Sequence, residues 1–272
     1  MQVIPVTDVS RGFASTSRRD AWWVAPLAVF LGLSTFIVYS TWAAFQNAHY
    51  TFGPYLSPFY APVLFASPGD AAGLQHAWFG VKPAWIPALL PFSPALLILP
   101  FPGLFRFTCY YYRGAYYKAF WADPPSCAVG EPRKSYWGEQ SFPLVLQNIH
   151  RYFMYIAVIF LGLLSYDVWE AMWWPSATGG ESFGIGVGTI VLATNVVLLS
   201  GYLFGCHSMR HVAGGCVDQL SSAPLGTRAY DCVSCLNRGH MPWAWCSLFA
   251  VGFADLYVRL CSMGVWSDIR II

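Results

Sequence analysis

Five stretches of the chain are apolar for long enough to cross a bilayer, at about 21–45, 83–107, 149–174, 183–212 and 243–266. The first carries no charge from Ala21 to Phe45, and it has Trp22, Trp23 and Trp42 where aromatic anchors meet the membrane interface. The second holds Pro83, Pro87, Pro91, Pro94, Pro100 and Pro102. Each proline deletes a helical donor and crowds the preceding turn, so this span is expected to be kinked or broken and packed within protein. The third opens on His150, Arg151 and Tyr152 and bears Asp167 and Glu170 further along, charges that a span tolerates only when they face the interior of a bundle. The fourth has Gly184, Gly186, Gly188 and Gly201, which allow close helix contact, and the fifth sets Asp255 and Arg259 four apart, within pairing reach. Residues 46–82 place Tyr50, Tyr55, Phe59 and Tyr60 among Pro54, Pro58 and Pro62, too many prolines for a helix and too many aromatics for a free tail. The pattern predicts an all-α integral membrane protein: a bundle of about five transmembrane helices with a long external loop after the first. Residues 1–20 form a polar N-terminal segment, and residues 21–272 a single transmembrane helical domain.

Composition agrees with this picture, at 56% hydrophobic, 18% aromatic and only 10% charged residues. The formal net charge of +2 has its basic residues spread over loops rather than gathered in a stripe, which gives no footprint for nucleic acid. With five crossings, Lys82, Arg259 and Arg270 fall on one side and the other twelve of the fifteen basic residues on the opposite side. The positive-inside rule then sets the N-terminus in the cytoplasm and the C-terminus outside the cell membrane. Most of the eight cysteines lie in or beside apolar runs on the cytoplasmic side, where thiols stay reduced.

Candidate chemistry concentrates between Gly205 and Trp245, on the cytoplasmic connection of the last two spans. His207 and His211 share one face if the helix continues and can chelate one ion, while Cys232 and Cys235 form a CxxC that brings two thiolates to one iron or zinc. Cys206 and His240 are alternative ligands, and Cys216, after Gly214 and Gly215, is the least attractive. Two thiolates with two imidazoles suit a zinc site or a Rieske-type [2Fe–2S] centre, although the usual Cys-x-His and Cys-x-x-His spacings are absent. At the cytoplasmic start of the third span, His150, Arg151 and Tyr152 are the candidates for hydrogen bonding a quinone.

Three segments carry a family resemblance: Asn148 to Tyr152, reading NIHRY; Gly205 to His211, reading GCHSMRH and followed by Gly214-Gly215; and Leu236 to His240, reading LNRGH and leading through Trp243 and Trp245 to Asp255 and Arg259. In these the chain resembles the membrane-anchor subunit of actinobacterial, mycobacterial-type succinate dehydrogenase, respiratory complex II. The resemblance implies flavoprotein and iron–sulfur partner subunits on the cytoplasmic side and electron delivery to membrane quinone. It also implies a Rieske-type [2Fe–2S] cluster, with haem b between His150 and one of His207, His211 or His240 as the alternative; no flavin or dicarboxylate site is expected in this chain. A reading of a different class is a non-redox transporter or scaffold with a structural zinc.

Overall fold

The structure, a computed structural model, describes residues 12–85, 93–132, 142, 144–175, 179–215 and 224–272. Cys216, the middle of the proline-rich second stretch and the Arg133–Trp137 loop lie outside the described residues. In chain order the helices are α1 (Val24–Gln46), α2 (Ala71–His76), α3 (Pro94–Ile98), α4 (Pro100–Phe107), α5 (Tyr110–Ala119), α6 (His150–Glu170), α7 (Val187–Phe204), α8 (His207–Gly214), α9 (Pro224–Arg238) and α10 (His240–Ser262). Two small antiparallel pairs join them: β1 (Thr51–Phe52) with β2 (Tyr55–Leu56), and β3 (Trp173–Pro175) with β4 (Glu181–Phe183). Among the described residues four helices are long and apolar enough to cross a membrane: Val24–Gln46, Val145–Glu170, Val187–Phe204 and His240–Ser262.

The chain divides into two compact units. In the smaller, residues 1–35 with 107–148, the N-terminal segment is strapped to the loop after α5: Thr16 Oγ1 donates to the Ala128 carbonyl at 2.7 Å and Arg18 to Ser126 Oγ at 2.8 Å. Phe30 of α1 packs on Phe120 at 5.1 Å between centroids, and on α5 Tyr112 stacks on Tyr116.

The larger unit, residues 36–106 with 149–272, holds the rest of the bundle, and its two ends are distinct. One end is a cap built from the loop after α1, the β3–β4 strand pair and the C-terminal tail. Tyr60 donates to the last-turn carbonyl of Ala43 at 2.7 Å and stacks on Tyr50 at 4.1 Å. Asp268 in the tail accepts from Tyr55, Tyr257 and the Gly188 amide at 2.8, 2.6 and 2.9 Å, binding loop, α10 and the start of α7 together. The long loop is therefore structured, as its aromatic content predicts.

Beneath this cap lies the ion pair that the i,i+4 spacing predicts. Arg259 donates to Asp255 at 3.3 and 3.4 Å and to the Ala48 carbonyl at 2.8 Å, while Ser57 and Tyr39 donate to the same carboxylate at 2.5 and 2.6 Å. At 0% and 1% exposure, Asp255 and Arg259 are tolerable only because both carboxylate oxygens and all three guanidinium nitrogens find partners from α1, the loop or α10.

The proline-rich stretch is broken, as expected, into α3 and α4. Ser93 immediately precedes α3, which has Pro94 in its first turn, and Pro100 restarts the chain as α4, because proline is accepted at the first helical positions where donors are unpaired anyway. Ser93 bonds Tyr60 of the cap, whereas Arg106 reaches α10 near its start, so this broken segment runs the length of the bundle. Successive segments α1, α3–α4, α6, α7 and α10 thus alternate in direction.

Three expected boundaries move. The third and fourth spans do not reach 174 or begin at 183, since Ala171 ends α6 and the β3–β4 hairpin intervenes. The fourth does not continue to 212 either. α7 stops at Phe204, and Cys206 is extended before α8 restarts. A Cβ at Gly201 would lie 2.6 Å from the Trp243 ring, so its glycine lets α7 and α10 close together.

Candidate functional site

At the end of the bundle opposite the cap, α4, α6, α7 and α10 each contribute a ring to one aromatic layer. Phe105 stacks on His150 at 4.9 Å and meets the edge of Tyr202 at 5.4 Å, and Tyr202 stacks on His240 at 5.0 Å. Arg106 lies 4.7 Å over the Tyr202 ring and donates to the Ala244 carbonyl at 3.2 Å and Ser247 Oγ at 3.0 Å. His150 is buried because it begins α6 on the inner face, and its Nε2 bonds Cys206 Sγ at 3.0 Å. Cys206 gets there through the break between α7 and α8, where a Cβ at Gly205 would lie 2.7 Å from the Gly201 carbonyl and 3.1 Å from that of Leu236. Below the layer is a cavity of about 160 Å³, almost wholly apolar, with Phe36, Phe59, Leu161 and Phe160 on its walls and Arg106 and Tyr202 at one end.

The six expected metal ligands are divided among three places. Cys206 and His240 belong to the buried layer with His150. His207 and His211 form an exposed pair on α8, their Nε2 atoms 3.1 Å apart. Burial first, then His211 and Arg210, hold His207 below the usual imidazole range. Cys232 and Cys235 are exposed on α9, so the CxxC stands on a helix, away from the other expected ligands. Among the described residues no group of three or more His, Cys, Asp or Glu converges on a position for one metal ion.

Of the residues expected at a quinone, His150 faces inward, while Arg151 and Tyr152 face outward, with Tyr152 67% exposed. Consecutive helical positions differ by about 100°, so the three cannot share one face. Asp167 and Glu170 sit at the cap end of α6, Asp167 roughly 26 Å of helix from His150, which removes them from this layer. Sequence reasoning missed Phe105, Arg106 and Tyr202 as parts of the site. The His150–Cys206 bond joins residues 56 apart, a tertiary contact that no spacing rule reads.

Residues 24–264 match the family of the actinobacterial succinate dehydrogenase subunit SdhC. The chain belongs to this family. As such it is the membrane subunit of an enzyme complex, which agrees with the resemblance carried by NIHRY, GCHSMRH and LNRGH. Among solved structures it is similar to the Mycobacterium smegmatis Sdh1 complex in the apo form, at 42% identity, 94% coverage of each chain and a TM-score of 0.83. No protein of curated function matches. Membership in a succinate dehydrogenase family leaves no support for the transporter or scaffold reading. In this SdhC-family subunit the inner layer joins the buried His150, Cys206 and Tyr202 to the half-buried Arg106 and His240 at the end of the bundle opposite the cap.

Proposed function

We propose that this subunit anchors the flavoprotein and iron–sulfur subunits of succinate dehydrogenase at the membrane and passes their electrons to quinone at the His150–Cys206 layer. The basic asymmetry of the loops supports an orientation with that layer at the cytoplasmic end, facing the soluble subunits, and the cap with the C-terminus outside. The observation that carries the reading is the buried imidazole–thiol bond of 3.0 Å directly above an apolar cavity.

The finer reading is a Rieske-type [2Fe–2S] cluster. His150, Cys206 and His240 have the right donor chemistry for it, and a two-iron cluster spreads its histidines and cysteines over two metals instead of gathering them on one ion. They would supply both imidazoles and one of the thiolates. The cluster, when bound, supplies one-electron storage at a potential raised by imidazole ligation. Haem b between His150 and His240 is less well supported, because the rings of Phe105 and Tyr202 stack on the two imidazoles and fill the approach between them.

The chain's own residues do the rest. The cavity walls exclude water and take the apolar body of a quinone. Arg106, at its end, offers N–H groups to a quinone carbonyl, with its guanidinium positioned by Ala244 and Ser247. Tyr202 holds the two sides of the layer in register. Arg151 and Tyr152 meet a quinone only from the outer face of α6, and the inward arrangement is favoured because Phe105, which stacks on His150, and Tyr202 also line the cavity. The test is the paramagnetic-resonance and visible spectrum of the dithionite-reduced complex. Cys206→Ser is expected to remove a Rieske-like resonance while the subunit stays inserted and assembled. Haem bands, or a resonance that survives Cys206→Ser and His150→Gln alike, overturn the assignment.

A further inference from the structure

α8 presents a second pair of imidazoles that the buried layer does not use. His207 and His211 stand one turn apart, both exposed, with ring centroids 4.7 Å apart and planes at 89°. Their Nε2 atoms point at each other across 3.1 Å. As a bond between two neutral rings this is worth little on an exposed helix, since water competes for both nitrogens. As a chelate it is nearly complete. Metal–nitrogen bonds of about 2.0–2.1 Å with the nitrogens at this separation subtend roughly 95–100° at the ion, and a relaxation of a few tenths of an ångström reaches the tetrahedral value. The neighbouring Arg210 is directed to α9, where it donates to Tyr230 Oη at 2.6 Å and lies over that ring.

We propose that His207 and His211 form a site for a divalent transition-metal ion such as Zn²⁺, with water completing its coordination. Two imidazoles select borderline cations of the zinc, copper and nickel type over magnesium or calcium, which require oxygen ligands. The site is separate from the buried layer and does not rest on the electron-transfer reading. The ion pins the first two turns of α8, whose N-cap is Cys206, so its occupancy is transmitted to the backbone that positions that thiol.

The experiment is calorimetric titration of Zn²⁺ into the intact, chelator-washed complex, with hydrogen exchange followed over residues 207–214. The native complex is expected to bind one Zn²⁺ per copy of this chain, with exchange in α8 slowed. His207→Gln and His211→Gln should each weaken that site at least tenfold, whereas His49→Gln, at another exposed histidine, should leave it unchanged. Both side chains are exposed, and assembly of each variant is checked by co-purification of the soluble subunits. Absence of binding to the native complex, or equal binding by the native complex and both variants, overturns the proposal. Neither outcome bears on the resonance spectrum that tests the buried layer.

Discussion

Replacing Asp255 by alanine removes the acceptor on which Arg259, Ser57 and Tyr39 converge. The guanidinium is then left 1% exposed with only the Ala48 carbonyl and the face of Trp42, 5.2 Å away, to receive it. Hydrogen bonds to a charged group contribute about 1.5–3 kcal/mol each. The four that Asp255 accepts would set an upper bound that solvent and rearrangement reduce, and removal of one partner from a buried pair costs about 3–5 kcal/mol. That range is the expected loss for Asp255→Ala. The double replacement Asp255→Leu with Arg259→Met should recover most of it, because no charge is then left buried. The assay is the thermal midpoint of the detergent-solubilised complex, together with the yield of inserted subunit. A single variant within about 1 kcal/mol of the native protein, or a double variant no better than the single one, refutes the reasoning.

Gly201→Ala should destabilise the α7–α10 contact by about 1–3 kcal/mol, since the new methyl must displace the Trp243 ring; an unchanged thermal midpoint would show that the ring moves freely. His76, on α2 outside the membrane, is held below the ordinary imidazole value by burial, against the opposing charge of Glu170 and a backbone bond to Gly53. Its neutral form is the folded one, so its contribution is fully present above about pH 6.5 and is lost as pH falls from there through the lowered folded value. His76→Gln should flatten the fall in thermal midpoint between about pH 7.5 and 5; an identical fall in the variant would locate the acid sensitivity elsewhere.

The apolar stretches settled the architecture before any tertiary contact was known, because backbone groups in a bilayer must be satisfied within the segment and only helices of sufficient length do so. The same local physics made the proline breaks between α3 and α4 and the Asp255–Arg259 pair legible, since each depends on residues a few positions apart. The family was legible too, through short motifs at the ends of α6, α7 and α10. What the sequence could not decide was which of its histidines and cysteines face one another. His207 and His211 are read correctly as a pair because one turn of helix joins them. Cys206 is drawn away from His207 to His150 because an extended residue between α7 and α8 turns its thiol inward. Phe105, Arg106, Tyr202 and His240 come from three helices and meet only when those helices pack. Local periodicity specifies the face a residue occupies on its own helix, but the rotation of one helix against the next follows from close packing, as at Gly201 and Trp243, and that is decided by the whole bundle at once.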